Sequence, residues 1–271
     1  MTEQQYNKAE GIRRTDLWLM HDSPEKYKYF LDHPQEESSP ALTFGSAAHK
    51  MVLEPDTFFD EYAVAPACDR RTKEGKALYE QFLAQSEGKT IISAEDLKTI
   101  QEMSDALHKC TLAHSLLTED GETEVPLFWT DPETGEKCKA KLDRLIKCLD
   151  GKIAVVDYKT ALSADTDKFI RKMFDLGYTF QSAFYTEAVM HNHDIDYRPV
   201  FLFVVQEKKP PYSVNVVEVT PDVMQYGVNV FRELIDKLHE CKEIDYWPGY
   251  VDDIPNEAYI PGYINFEGEE E

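Results

Sequence analysis

Asp143 in KAKLDRL, and Asp157 with Lys159 in VVDYKT, are spaced to do chemistry together if the two segments pair as strands. Between them lie Leu149, Asp150 and Gly151, a three-residue hairpin loop with glycine at the left-handed position, which pairs Cys148 with Lys152 and sets Asp143 opposite Asp157. The preceding loop, Pro132 to Gly135, sets Asp131 opposite Glu136 and Glu124 opposite Asp143. Glu124, Asp143 and Asp157 then form one row across three strands, with neighbouring Cβ atoms roughly 4.5–5.5 Å apart. Lys159, two residues beyond Asp157, points to the same face. Like charges directly opposite one another destabilise a sheet, so such a row needs a proton, a basic neighbour or a metal ion. Carboxylate and carbonyl oxygens suit Mg²⁺, with Mn²⁺ as a substitute, whereas zinc prefers His and Cys. A lysine beside that ion can act on a water while stabilising a pentavalent phosphorane, so the chemistry is metal-dependent hydrolysis of a phosphate ester. The competing reading of the same residues is two surface ion pairs, Asp143 with Arg144 and Asp157 with Lys159.

The elements around this row follow from periodicity. Glu122–Thr160 reads as a three-stranded meander, ETEVPLFWT, EKCKAKLDRLIKC and KIAVVDYKT, separated by turn residues. Helical spacing runs over Thr15–Leu31, over Phe44–Leu53, which carries His49, over Phe169–His191, which carries Gln181 and Tyr185, and over Pro221–Cys241. Ser93, with Asp96 three residues on, caps a helix to about Leu117. Pro34–Pro40 and the basic stretch Asp69–Lys76 read as loops, and Val200–Val205 and Tyr212–Val219 as further strands. The expected fold class is α/β, a central mixed β-sheet flanked by helices. GKT at 88–90 is not a phosphate loop, because the required earlier glycine is Leu83.

With 51 acidic and 29 basic residues among 271, the chain carries a formal charge of −22. That disfavours a polyanionic partner at long range but leaves room for a local basic groove. Composition excludes collagen, low-complexity and disulfide-scaffold classes. Five cysteines without a CxxC pair fit reduced thiols rather than a zinc or iron–sulfur site. There is no apolar run long enough for a membrane span and no signal-peptide core, so a soluble, cytoplasmic protein with no membrane partner is expected. Residues 1–265 are expected to form one domain, followed by a disordered acidic tail, 266–271.

The ordered set GSAAH (Gly45–His49), Glu124, Asp143, DYK (Asp157–Lys159) and QSAFY (Gln181–Tyr185) resembles the PD-(D/E)XK nuclease superfamily in its RecB-like branch, which shows GxxxH, an acidic position, a lone Asp, DxK and QxxxY. The flanks LTFGSAAHKMVLEP, VAPACDRRTKEGK and FWTDPETGEKCKAKLDRL are similar to those of RecE-type exonucleases, from Gly11 to Pro248. The resemblance implies a restriction-endonuclease-like core and a processive exonuclease that degrades linear duplex DNA from the 5′ end, releasing 5′-mononucleotides and leaving a 3′ single-stranded tail. It also implies a homo-oligomeric ring around DNA ends, a RecT-like single-strand annealing protein as partner, and a phage or prophage setting.

Carried over by position, Asp143, Asp157 and the Tyr158 carbonyl would hold Mg²⁺, with His49 at its edge. Lys159 would act on the water, Gln181 and Tyr185 would support the metal shell or the DNA end, and Glu124 would match the acidic position or orient a neighbour. Arg13, Arg14, Arg70, Arg71, Lys73 and Lys76 are the candidate DNA contacts, and Trp18 or Tyr29 could meet an end base pair. Arg13 and Arg14 stand where relatives often carry small polar residues. Two other classes remain open: an endonuclease of the same fold, and a non-catalytic acidic DNA mimic or interaction protein. A nuclease of the CRISPR-adaptation type would bring a four-cysteine cluster that this chain lacks.

Overall fold

The computed structural model describes residues 1, 3–34, 39–148, 150–251 and 258. The elements run α1 (Glu3–Lys8), α2 (Arg14–Asp22), α3 (Pro24–Asp32), α4 (Pro40–Leu53), α5 (Phe58–Glu61), β1 (Tyr62–Val64), α6 (Lys73–Gln85), β2 (Thr90–Ile92), α7 (Ala94–Lys109), α8 (Thr111–Thr118), β3 (Glu122–Thr130), β4 (Lys137–Lys147), β5 (Ile153–Ala161), α9 (Thr166–Asp175), α10 (Tyr178–His193), β6 (Val200–Glu207), β7 (Val214–Glu218) and α11 (Pro221–Ile244). The main sheet has the order β3-β4-β5-β6-β7, mixed because only β5 and β6 run parallel, joined by the α9–α10 crossover; β1 and β2 form a small parallel pair apart from it. The mixed α/β fold with helices on both faces is therefore as the sequence suggests.

Successive residues of β5 face opposite sides, so the strand is buried on both. Val155, with Phe201 and Phe203 of β6, packs against Phe180 and Phe184 of α10 and Phe231 and Leu234 of α11. Val156, Tyr158 and Val204 pack on the other side against Ala47 and Ala48 of α4 and Ile100 and Met103 of α7. Each such side chain contributes roughly 1.5–3 kcal/mol by leaving water. Asp157 thereby sits on a strand packed on both faces.

Several helices are shorter than their apolar periodicity. Thr15–Leu31 is two helices, because Ser23 caps α3 by accepting from the Lys26 N–H at 3.2 Å and Pro24 opens it. The stretch to Leu117 breaks at Cys110, although the Ser93–Asp96 capping box opens it as expected. Phe169–His191 breaks at Gly177, whose φ of 66° ends one helix and starts the next. Lys73 and Lys76 lie on α6, not in a loop, since Thr72 caps that helix through the Gly75 N–H. The tail 266–271, Leu149 and residues 35–38 of the Pro34–Pro40 loop lie outside the described residues. No helix among the described residues is long and apolar enough to cross a membrane.

Candidate active site

Both hairpin loops set the expected register. Asp131 donates its N–H to the Glu136 carbonyl at 2.8 Å with Gly135 at φ 75°, and Cys148 donates to Lys152 at 2.8 Å with Gly151 at φ 83°. The ladders then break where the carboxylates stand. β3 and β4 pair at Thr123 with Arg144 and at Val125 with Leu142 but skip Glu124 and Asp143, and β4 and β5 stop at Arg144 with Val156. Glu124 has φ 53°, a left-handed backbone that a glutamate adopts only against about 1–3 kcal/mol of strain. The expected row of directly opposed carboxylates is therefore corrected: the register is right, but the strands splay at the row. The Asp143 carboxylate takes the place of a rung, accepting the Tyr158 N–H at 2.8 Å through Oδ2.

Asp157 is 2% exposed and is held from two sides. Its Oδ1 accepts from Gln181 Nε2 at 2.5 Å, and its Oδ2 lies 2.5 Å from Lys159 Nζ. The Lys159 ammonium stands 5.1 Å from the centre of the Tyr178 ring. Gln181 is buried one turn into α10, and Tyr185 follows one turn later. Burial, and then the charges of Asp157 and Asp143, push the Tyr185 hydroxyl above its ordinary range, so it stays protonated beside them. The Tyr158 ring points away, its hydroxyl donating to Gln206 at 2.7 Å, and Gln206 in turn donates to the Met103 carbonyl at 2.7 Å.

His49, on α4, places Nδ1 3.4 Å from Asp143 Oδ2. Burial, then the nearby Lys159 charge, push its pKa down to about 4 against the opposing pull of Asp157 and the Tyr158 backbone, so the imidazole is neutral at neutral pH. Burial, then the like charge of Asp157, raise the Asp143 carboxyl well above its ordinary range. The Asp143 shift shows that two crowded acids lack a compensating cation, whereas the His49 shift reflects burial and the Lys159 charge.

A divalent cation fits the residues present. Asp157 Oδ2 is buried and, despite the nearby lysine, lacks an aligned hydrogen-bond donor. In an extended strand the N–H and C=O of one residue face the same neighbour, so the Tyr158 carbonyl faces the gap that Asp143 spans. Two carboxylates and a main-chain carbonyl form a hard oxygen set suited to Mg²⁺ or Mn²⁺. Among the described residues no three His, Cys, Asp or Glu side chains cluster as a metal site, so the backbone oxygen is needed to complete the set.

The site opens into a cleft of about 910 Å³ whose lining includes His49, Glu124, Asp143, Lys159 and Tyr178, and also Lys50, Lys141 and Lys208. The last three were not singled out from the sequence, although Lys50 follows His49 directly and Lys141 precedes Asp143 by two. Glu124 pairs with Lys141 at 2.5 Å, and Lys50 pairs with Glu54 at 2.9 Å and Glu61 at 2.5 Å.

Of the candidate DNA contacts, Arg14 comes nearest. It donates to the Leu176 carbonyl at 3.0 Å and lies 5.8 Å from the centre of the Tyr178 ring that Lys159 also meets. Arg13 turns aside to Asp16 and lines a separate cavity of about 460 Å³. Arg70 packs over Tyr79, Arg71 pairs with Asp69, and Lys73 and Lys76 are exposed on α6; none of the four lines the cleft. Trp18 stacks on His21 and Phe180, and Tyr29 is exposed and stacked on His33.

Residues 15–256 match the model of a family described as a PDDEXK-like domain of unknown function (DUF3799). Among curated proteins none matches the sequence. Among solved structures, the chain is similar to a "Putative exonuclease" from Eubacterium rectale at 16% identity and TM-score 0.59, covering 90% of this chain and 87% of that one. At that identity the likeness is one of fold. SSO0001, at 16% identity and TM-score 0.33 over 81% of this chain and 84% of that one, is too distant to carry an argument.

Proposed function

As this chain belongs to the family of PDDEXK-like domains (DUF3799), we propose that it is a nuclease of the RecE type: a Mg²⁺-dependent exodeoxyribonuclease that degrades linear duplex DNA 5′→3′, releases 5′-mononucleotides and leaves 3′ single-stranded tails for recombination. The observation that carries this reading is the splayed end of β4 and β5, where Asp143 and Lys159 line an open cleft and meet the buried Asp157 and Gln181 behind it. The proposal extends to a RecT-like annealing partner, a homo-oligomeric ring and a cytoplasmic setting in a phage or prophage. An acidic exterior with cations gathered toward a channel suits such a ring.

In this reading Asp143, Asp157, the Tyr158 carbonyl and His49 would hold the ion. When bound, it would polarise the scissile phosphate and lower the pKa of the attacking water. Gln181 fixes one oxygen of Asp157, and the Tyr158 N–H fixes one oxygen of Asp143, so neither carboxylate reorganises as substrate enters. Lys159 carries a fixed positive charge to the point where negative charge develops on the phosphorus oxygens. Arg14 beside Tyr178 faces the DNA end, and Arg70, Arg71, Lys73 and Lys76 contact duplex phosphates further along. Duplex labelled at the 5′ end should release its label first as mononucleotide, and duplex labelled at the 3′ end should lose it late; the reverse order would overturn the polarity.

A further inference from the structure

The cleft is lined by Lys50, Lys141, Lys159 and Lys208, and the first three meet carboxylates: Lys50 with Glu54 and Glu61, Lys141 with Glu124, and Lys159 with Asp157. Lys208 differs, since among the described residues no carboxylate lies within 4.0 Å of its ammonium. The acid next to it in sequence is engaged elsewhere: Glu207 accepts the Ala164 N–H at 2.9 Å, and successive residues of an extended strand face opposite sides. In a chain of formal charge −22, the half-buried Lys208 therefore leaves one wall of the cleft with local positive potential.

The main chain fixes where that charge stands. The Lys208 N–H donates to the Ala161 carbonyl at 3.1 Å, which carries the parallel β5–β6 ladder one residue past the Ala161–Glu207 pair. Lys159 pairs with Val205, so Lys208 lies three residues further along, roughly 10 Å in the strand direction. The sheet order β3-β4-β5-β6 puts Glu124 and Lys141 on one side of the β5 residues and Lys208 on the other, with Thr160 lining the cleft beside Lys159. Phosphates recur about every 3.4 Å of axis along each strand of a duplex. A strand whose reacting phosphate sits at Lys159 thus brings another to Lys208 within roughly one to three nucleotides.

Resting on the nuclease reading above, we infer that Lys208 binds a non-scissile phosphodiester of the DNA strand that enters the site, roughly one to three phosphates from the bond to be cut. A contact to the backbone carries no base preference, and it sets the register of the strand against Asp143, Asp157 and Lys159.

The test pairs a change in the protein with a change in the DNA. The full-length parent, Lys208→Gln and Lys208→Arg, each checked for folding by circular dichroism, are titrated by anisotropy in Ca²⁺ with a fluorescent duplex over a range of salt. A second series of duplexes carries a single neutral methylphosphonate, moved one linkage at a time inward from the end. Lys208→Gln should bind about five- to tenfold more weakly at low salt, with a slope of log affinity against log salt shallower by about one, and Lys208→Arg should keep both the affinity and the slope. In the parent, one methylphosphonate position should weaken binding by a similar factor, and at that position Lys208→Gln should lose nothing further. Unchanged affinity and salt slope in folded Lys208→Gln would overturn the inference, and so would losses that add at every position. If the parent meanwhile binds linear duplex and cuts it with Mg²⁺, Lys208 alone is removed from the account; absence of DNA binding by the parent removes the nuclease reading with it.

Discussion

Gln181→Leu should weaken divalent-ion binding without unfolding the protein. Gln181 is 4% exposed and its amide is, among the described residues, the only donor that meets Asp157 Oδ1, at 2.5 Å. Leucine fills a similar volume but leaves a buried carboxylate oxygen with no partner, while Lys159 still faces Oδ2. A hydrogen bond to a charged group contributes about 1.5–3 kcal/mol, which converts to roughly 10- to 100-fold in affinity and agrees with the usual effect of residues that orient metal ligands. Calorimetric titration with Mn²⁺ reads the affinity directly, and nuclease rate against Mn²⁺ concentration separates positioning from catalysis. The expected result is a half-saturating Mn²⁺ concentration raised by that factor, with most of the maximal rate recovered at saturation. Unchanged Mn²⁺ affinity in a folded variant would refute the reasoning. A depressed maximal rate with normal affinity would move Gln181 from Asp157 to the substrate.

Other perturbations follow from packing and charge. Gly227→Ala should destabilise by about 1–3 kcal/mol in thermal or urea unfolding, against the helix propensity gain, because a Cβ on α11 would stand 2.2 Å from the Thr179 carbonyl oxygen of α10. Asp131 is 1% exposed at the side chain; burial pushes its carboxyl up, but hydrogen bonds from Arg232 and Thr134 outweigh this and hold it below the ordinary range. Since a depressed carboxyl stabilises above its unfolded pKa and loses that contribution as pH falls through its folded value, Asp131→Asn should cost about 1–2 kcal/mol at neutral pH, with Arg232 partly exposed, and progressively less below about pH 4 in urea unfolding. Reversing Arg70 and Arg71 to Glu should weaken DNA binding and flatten its dependence on salt, as measured by anisotropy; unchanged binding would take α6 and its preceding turn out of the DNA path.

Much of the fold was legible because local chemistry decided it. Gly135 and Gly151 adopt the left-handed conformations their loops require, and those two residues fix the register of three strands. The helix breaks at Ser23 and Gly177 were signalled by a cap followed by proline and by a glycine, but continuous apolar periodicity masked both. The strands Tyr62–Val64 and Thr90–Ile92 are three residues each and far apart in sequence, too short for alternation to show. At the site, the convergence of Asp143, Asp157 and Lys159 could be anticipated from the hairpin register, while that of His49 and Gln181 was implied only by the resemblance to the PD-(D/E)XK superfamily. The left-handed Glu124 and its Lys141 partner could not, since no propensity rule places a glutamate there and the strain is held by long-range contacts. Arg70, Arg71, Lys73 and Lys76 illustrate the opposite failing: a basic run stands out in an acidic sequence, yet its sequence position does not bring it to the cleft.

The most direct test digests linear and covalently closed circular duplex, each with Mg²⁺ or EDTA, using the parent protein and Lys159→Ala. Only linear DNA should disappear, only with Mg²⁺, and Lys159→Ala should be slower by at least about 10³-fold, the effect of removing a charge stabiliser worth about 4 kcal/mol from a transition state. Nicking of circles would contradict the requirement for an end and point to an endonuclease, and no cleavage of either substrate would leave an acidic binding protein in its place.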